Sequence, residues 1–321
     1  MENKILNKLK NSLDYLSGES ISSDLNISRS AIWKHIKSLK NKGYIIEGKS
    51  NKGYKLISCP DILSAQELIP LLKTNNLIKD IKHFYELSST NHSAKELARG
   101  EINNGTLIIA EKQLCGKGRF DREWISPSSG IWFSLILKPN LPPMEASKVT
   151  QIAAAAIYKS LLEFDIKVNI KWPNDIYLNG KKICGILTEM KCDMDRIHYL
   201  ILGVGINVNL EIDDIPDEIK DIATSLKIEL NKSFKRSDIL VKFLNHFEIL
   251  YNKFVLQKDI SEVLSICREN SNIINKKAKL ITYNKEEIVT CLSLTDTGEL
   301  LVKDSDGKEK LITSGEISFR I

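Results

Sequence analysis

Four short runs hold the side chains whose types and spacing could do chemistry. The run from Gln113 through Trp124 (Gln-Leu-Cys-Gly-Lys-Gly-Arg-Phe-Asp-Arg-Glu-Trp) sets Gly116 and Gly118 among Lys117, Arg119 and Arg122. Glycine lets a backbone come close to an anion, and the three cations can hold a phosphate or a carboxylate. A dinucleotide fingerprint needs a third glycine where Asp121 stands, and a phosphate loop needs Gly-Lys-Ser/Thr where this run continues Gly-Lys-Gly. Taken alone, the run reads equally well as a solvated basic loop. Lys171-Trp172-Pro173-Asn174-Asp175 puts a cation, an amide and a carboxylate on a turn that proline makes rigid. The competing reading is a β-turn built from Asn and Asp for their turn chemistry. The third and fourth runs, Gly185-Ile186-Leu187-Thr188-Glu189 and Gly203-Val204-Gly205-Ile206-Asn207-Val208, are strands marked by glycine. Glycine inside a strand means that something approaches the backbone, or else a bulge or tight packing.

The elements that must position these runs alternate between two periods. Thr106–Glu111, Gly130–Leu137, Asn169–Trp172 and His198–Asn207 read as strands. Ala146–Leu162 is a long helix, and a second helix lies near 237–257. Asn179-Gly180 joins Ile176–Leu178 to Lys182–Met190 as a hairpin, to which the strand at 198–207 pairs. Hairpins dominate, so the expected fold is α+β, with a mixed, mainly antiparallel sheet and helices on one face. After residue 270 five short β runs follow: Ala278–Tyr283, Ile288–Leu294, Leu300–Lys303, Leu311–Thr313 and Ile317–Arg320. They predict a small SH3-like barrel.

The first 59 residues are different. They carry 11 Lys and Arg against 5 Asp and Glu, while the remainder is nearly balanced. Ile5, Leu6, Leu9, Leu13 and Leu16 predict one helix ending at Gly18. Ser20 or Ser22 can cap a second helix through Leu25, and Ser28 a third through about Lys42 with Ile32, Ile36 and Leu39 inside. Tyr44–Ile46 and Tyr54–Ile57 around a polar tip read as a two-stranded wing. Three helices and a wing in a basic segment predict a winged helix-turn-helix. Its third helix would offer Ser28, Arg29, Ser30, Trp33, Lys34 and Lys37 to DNA, although Trp33 could instead pack partly on the core. Pro60 marks the boundary, and Ile62–Lys73 is expected to be helical. The predicted domains are therefore 1–60, 61–270 and 271–321.

Over the 321 residues, 42% are apolar and 27% charged. That excludes disordered and fibrous classes. No apolar run approaches the roughly 18 residues of a membrane span, and the charged start does not read as a signal peptide. Six scattered cysteines with no Cys-x-x-Cys pair suggest reduced thiols in the cytoplasm, and no clustered metal site is expected.

In this order and spacing the runs resemble bacterial biotin–protein ligases of the bifunctional ligase/biotin-operon repressor type. Ser89-Thr90-Asn91, Gly116-Lys117-Gly118-Arg119 with Trp124, Lys171 to Asp175, Gly185-Ile186-Leu187 and Gly203 to Asn207 carry the resemblance, which spans nearly the whole chain. Lys117 departs from the arginine that the pattern has there, as does Phe120-Asp121 from a more basic or glycine-containing pair.

The resemblance implies a class II synthetase-like catalytic fold and an ATP-dependent, two-step acyl transfer. Biotin's carboxylate attacks the α-phosphate of ATP, with Mg2+, and the biotinyl-5′-AMP formed acylates a lysine of the biotin carboxyl carrier protein of acetyl-CoA carboxylase. It implies Lys171 at the carboxylate and α-phosphate, with Arg119 as second catalytic residue. Ser89, Thr90, Asn91, Gln113, Lys117, Gly118 and Gly185 would join them around biotin. Arg119, Arg122, Trp124, Asn174, Asp175 and Asn207 would hold ATP, with Trp124 over the adenine and Asn207 at its edge. It also implies a repressor of biotin-synthesis genes whose corepressor, biotinyl-AMP, promotes a homodimer on a two-fold operator. A repressor that only binds an effector, and a lipoate-type ligase, remain as alternatives.

Overall fold

The computed structural model describes residues 1–73, 76–282 and 285–319. Tyr283 and Arg320, included in two of the expected strands, lie outside them. The chain forms two compact units, Met1–Ile62 and Leu63–Ile321.

The first unit contains α1 (Glu2–Lys10), α2 (Gly18–Leu25), α3 (Arg29–Asn41) and the antiparallel hairpin β1 (Ile45–Lys49) and β2 (Gly53–Ser58). Its core is Ile5, Leu6, Leu9, Ile21, Ile32, Ile36, Leu39, Tyr44 and Ile46. The single helix expected over Ile5–Leu16 stops at Lys10, and Leu13 is 95% exposed. The chain leaves the helix because Leu16 pairs with Tyr54, exchanging two backbone hydrogen bonds of 2.9 Å. Gly18 therefore opens α2, which Ser17 caps by accepting from the Ser20 amide, in place of the expected Ser20 or Ser22. Ser28 caps α3 as expected, accepting from the Ala31 amide at 3.2 Å.

In the second unit the helix expected over 62–73 shrinks to α4 (Ala65–Leu68) and one tighter turn, Ile69–Leu71, where Pro70 supplies no amide donor. The following strand β3 (Asp80–Leu87) and helix α5 (Thr90–Ala98) were not anticipated. Then come β4 (Thr106–Gln113), β5 (Ile131–Leu137), α6 (Ala146–Leu162), β6 (Asn169–Lys171), β7 (Asp175–Leu178), β8 (Lys181–Cys192) and β9 (Ile197–Ile206). Together the strands make one seven-stranded sheet in the order β3-β4-β5-β9-β8-β7-β6. Only β3 and β4 run parallel; the other pairs are antiparallel.

Alternation along the strands gives the sheet two different faces. Leu107, Ile109, Phe133, Leu135, Leu202 and Val204 join the large core with α6 and α8 (Arg236–Gln257), which α7 (Leu226–Leu230) precedes and α9 (Ser261–Glu269) follows. Ile108, Ile136 and Ile201 face the other way and pack against Ala94 and Ala98 of α5. Further along this second face Trp132 packs with Leu210 and Ile215 in a separate cluster, and Gly203 and Gly205 lie on the same face. The tail forms β10 (Lys277–Thr282), β11 (Lys285–Leu294), β12 (Leu300–Asp304), β13 (Glu309–Ile312) and β14 (Glu316–Ser318), an antiparallel sheet in the order β13-β12-β11-β10-β14.

Candidate active site

A cavity of about 360 Å³ opens on the second sheet face. That volume suits a small organic ligand. Ser89, Thr90, Asn91, Gln113, Lys117, Gly118, Arg119, Arg122, Trp124, Asn174, Asp175, Gly185 and Asn207 all line it. Of the small-molecule site residues expected from the sequence, only Lys171 is missing from its wall.

One end of the wall is a polar row at the start of α5. Ser89 caps that helix, accepting from the His92 amide at 3.4 Å. Gln113 Oε1 accepts from the Thr90 amide (2.8 Å) and hydroxyl (3.1 Å), and Gln113 Nε2 donates to Ser126 Oγ at 2.9 Å. Ser134, fully buried on β5 and unnoticed in the sequence, lies 2.6 Å from Asn91 Oδ1 and 2.8 Å from Thr90 Oγ1.

The glycines make room for specific side chains. Gly185 and Gly205 face each other across β8 and β9. A Cβ on Gly205 would stand 2.5 Å from Trp124 Nε1, and one on Gly185 would stand 3.0 Å from the same ring. A Cβ on Gly203 would meet Asn91 Oδ1 at 2.1 Å. The pairing of indole and amide with bare strand backbone is what the glycines allow.

The Gly-Lys-Gly-Arg loop is folded on itself and held from outside. Trp124 N donates to Gly116 O and Gly118 N to Arg122 O, both at 2.8 Å. Phe120 and Asp121 have φ of 57° and 56°, left-handed values that few side chains adopt. Lys117 pairs with Asp121 at 2.8 Å, while Arg119 and Arg122 lie 5.2 and 5.8 Å from the Phe120 ring. Arg119 donates to Gly315 O at 2.9 Å, and Arg122 pairs with Glu316 at 2.8 Å. Burial holds the Arg119 guanidinium below its ordinary pKa, opposed by Glu316 and Asp175. The tail sheet thus anchors the loop's cations, a link not anticipated from the sequence.

Lys171 lies opposite Asp175 in the β6–β7 pairing, one strand further out. Its ammonium is 3.4 Å from the Tyr177 hydroxyl and lies against the Tyr177 and Phe319 rings at 5.4 and 5.9 Å. Burial lowers its pKa, with Asp175 opposing. Lys182, which sequence reasoning missed, lines the cavity as Lys117 does. Its Nζ stands 2.7 Å from Asp175 Oδ1 and 5.1 Å from the Trp124 ring centre. Lys171 thus stands beside Tyr177, which lines the cavity, and Lys182 lines it directly; both lysines are set against Asp175.

Asn174 uses its side chain to brace the turn, donating to Ile186 O at 2.9 Å. Asn207 donates to Thr224 O at 2.9 Å. Its Oδ1 and the Trp124 Nε1 are buried without a protein partner. A buried acceptor and a buried donor left unmatched on one cavity wall are complementary to a polar ligand.

In the first unit, Arg29, Ser30, Trp33, Lys34 and Lys37 form one exposed face of α3, opposite Ile32, Ile36 and Leu39. Trp33 is 54% exposed with Lys37 over its ring at 5.2 Å, which resolves its position. Ser28 is engaged as the cap, and Arg29 pairs with Glu19 at 2.9 Å.

The class is defined by matches along the chain. Residues 83–207 match the biotin/lipoate A/B protein ligase family, residues 281–320 the biotin protein ligase C-terminal domain, and residues 2–55 an HTH domain. The bifunctional ligase/repressor BirA of Bacillus subtilis is 38% identical over 303 residues, covering 94% of this chain and 93% of that protein. Its Escherichia coli counterpart is 27% identical, covering 96% and 94%. The solved biotin protein ligase from Aquifex aeolicus in complex with biotin and ATP superposes with a TM-score of 0.65 at 30% identity, over 75% of this chain and 98% of that one. The chain belongs to the bifunctional biotin ligase/repressor family. Among the described residues no helix is long and apolar enough to cross a membrane.

Proposed function

We propose that this chain is an ATP-dependent biotin–protein ligase that also represses transcription through its winged helix. The observation that carries the ligase reading is the single wall on which Lys182, Asp175, Trp124 and Asn207 meet the polar row of Ser89, Thr90, Asn91 and Gln113. Biotin's carboxylate attacks the α-phosphorus of ATP, pyrophosphate leaves, and the mixed anhydride biotinyl-5′-AMP remains. A carrier lysine amine then attacks the acyl carbon and AMP leaves.

Two anions must meet in the first step, so the chain's task is positioning and charge. Lys182 is placed to sit between carboxylate and α-phosphate, with Asp175 fixing its ammonium. Arg119 and Arg122, held by Gly315 and Glu316, bring the glycine loop's charge to the phosphates, and Lys117 adds to it. The polar row takes the ureido ring, while Trp124 and Asn207 serve the adenine. Lys171, opposite Asp175 and beside Tyr177, adds a second ammonium to this place. Asn174 holds the turn that carries Asp175.

Mg2+ would travel with ATP. Among the described residues no three His, Cys, Asp or Glu side chains gather to hold an ion, so the nucleotide's phosphates would supply most of its ligands.

The further parts of the reading are a biotin carboxyl carrier protein as acceptor, operator DNA on α3 and the wing, and a homodimer promoted by biotinyl-AMP in the cytoplasm. The matched HTH segment and the exposed basic face of α3 support DNA binding. Three functional segments, 1–60, 61–270 and 271–321, follow from it. The direct test is ATP–pyrophosphate exchange. Exchange that depends on biotin, and that lipoate does not replace, is expected; exchange absent with biotin would overturn the ligase reading.

A further inference from the structure

We propose that Glu189, held by Lys95, is a positioning residue that fixes the hydrogen-bond polarity of the biotin-ring wall. The inference rests on the ligase reading above and names a determinant of its specificity.

Glu189 lies on β8, four residues along from Gly185 and two from Leu187, so it shares the cavity side of the strand. It does not line the cavity. Its Oε2 accepts from Asn91 Nδ2 at 2.8 Å, and its Oε1 accepts from Lys95 Nζ at 2.9 Å, one turn further along α5. A carboxylate can only accept, so Asn91 must turn its NH2 towards Glu189 and its Oδ1 away. Oδ1 then faces Ser134 Oγ at 2.6 Å.

Ser134 has one proton to give. Given to Asn91 Oδ1, it is unavailable to Thr90 Oγ1, 2.8 Å away. The Thr90 hydroxyl must then spend its own proton inside the wall, on Ser134 Oγ or on Gln113 Oε1 at 3.1 Å. Either way a Thr90 lone pair is left for the cavity. The wall presents an acceptor there, which fits a ligand ring that brings N–H donors, as a cyclic urea does. With Asn91 turned over, its NH2 would donate to Ser134, Ser134 would donate to Thr90, and one of the two Thr90 lone pairs would be taken inside the wall, leaving the ligand fewer acceptor directions.

Two acceptors fix the direction of the Asn91 amide, the Leu187 carbonyl at 3.5 Å and Glu189 at 2.8 Å, and the Glu189 bond is the shorter and the charged one. Lys95 holds Glu189 in place from the solvent side, where both side chains are about one-third exposed. Asn91 is 7% exposed and Ser134 fully buried, so water cannot readily substitute for the lost partner.

The test is steady-state kinetics of the full chain with biotin and ATP. Losing one such partner corresponds to roughly a tenfold loss in affinity. Glu189→Leu should raise KM for biotin about tenfold, with kcat and KM for ATP within about twofold of wild type. Asn91→Ala should do the same, and the double variant should be no worse than Asn91→Ala alone, because the two act through one bond. Lys95→Met, on the exposed side, should shift KM for biotin about threefold in the same direction and serves if Glu189→Leu fails to fold. Biotin KM within twofold of wild type in both Glu189→Leu and Lys95→Met would overturn the inference. So would parallel rises for biotin and ATP, or additive effects in the double variant. A wild-type chain without biotin-dependent exchange would instead sink the ligase reading on which it stands.

Discussion

Lys182 Nζ stands 2.7 Å from Asp175 Oδ1, across two neighbouring strands and on the wall of the cavity on the second sheet face. The pair fixes a cation on rigid backbone, where charge developing at an attacked phosphorus would be felt most. Replacing Lys182 by Met should lower biotin-dependent pyrophosphate exchange by roughly 10²–10³-fold, by analogy with the loss of one preorganised donor. Lys171→Gln, made beside it, should cost less than about tenfold. The reverse order of the two effects would return the central role to Lys171.

Gly205 allows the Trp124 indole to lie on bare backbone. A methyl at that position would sit 2.5 Å from Nε1, and the ring is too stiff to yield by a small rotation. Gly205→Ala should displace Trp124 and raise KM for ATP by roughly tenfold, about 1.4 kcal/mol. Trp124 fluorescence should shift as the ring moves. Unchanged KM together with an unchanged spectrum would count against the contact.

Glu111 ties the start of the second unit to α8. It accepts from the Leu63 amide at 2.9 Å, bonds His83 Nε2 at 2.7 Å and pairs with the buried Arg236 at 2.8 Å. Burial alone would raise its pKa, but the His83 bond, Arg236 and the Leu63 amide outweigh it and hold the carboxyl below the usual range. A depressed folded pKa means stability that is present above the unfolded value, about 4.3, and lost as pH falls through the folded one. Glu111→Gln should cost roughly 3 kcal/mol at pH 7, because the buried Arg236 loses the Glu111 charge beside it. Thermal melts from pH 7 down to pH 3 should show the variant losing less on acidification than wild type. Parallel acid limbs would remove Glu111 from the account.

The two units have separate cores, so the first can be removed without opening the second. A chain starting at Leu63 should keep pyrophosphate exchange within about threefold and lose operator binding in a gel-shift assay. Exchange that collapses in a folded protein of this length would show that the DNA-binding unit serves the reaction as well.

Much of this was readable from residue order. The Ala146–Leu162 helix, the Asn179-Gly180 hairpin and α3 with its inner face came from period and turn chemistry, which are local. The loop from Gly116 to Trp124 was legible as an anion-binding run because glycines and cations alternate there. Helix α5 was not read, because its fully buried apolar residues are only Ala94 and Ala98 and its first turn is polar. The anchorage of Arg119 and Arg122 on Gly315 and Glu316 joins residues almost two hundred positions apart, and no local pattern records it.

The lysines draw the same line most sharply. The sequence by itself determined that Lys171 ends a strand before a rigid turn, and that Lys181 and Lys182 follow a tight one. It could not say which lysine meets the cavity. In a regular β8, side chains alternate, and Ile183 would share the face of Gly185 and Leu187. The β7–β8 pairing instead carries an irregularity: Ile176 lies opposite Cys184, and Tyr177 opposite Lys182, with Ile183 unmatched between them. An extra residue reverses the alternation beyond it. Ile183 joins the core with Cys184, Lys182 turns to Asp175 and Trp124, and Lys181 turns to the Lys220 carbonyl. The register between two strands is a property of their pairing, so only the tertiary structure could decide it.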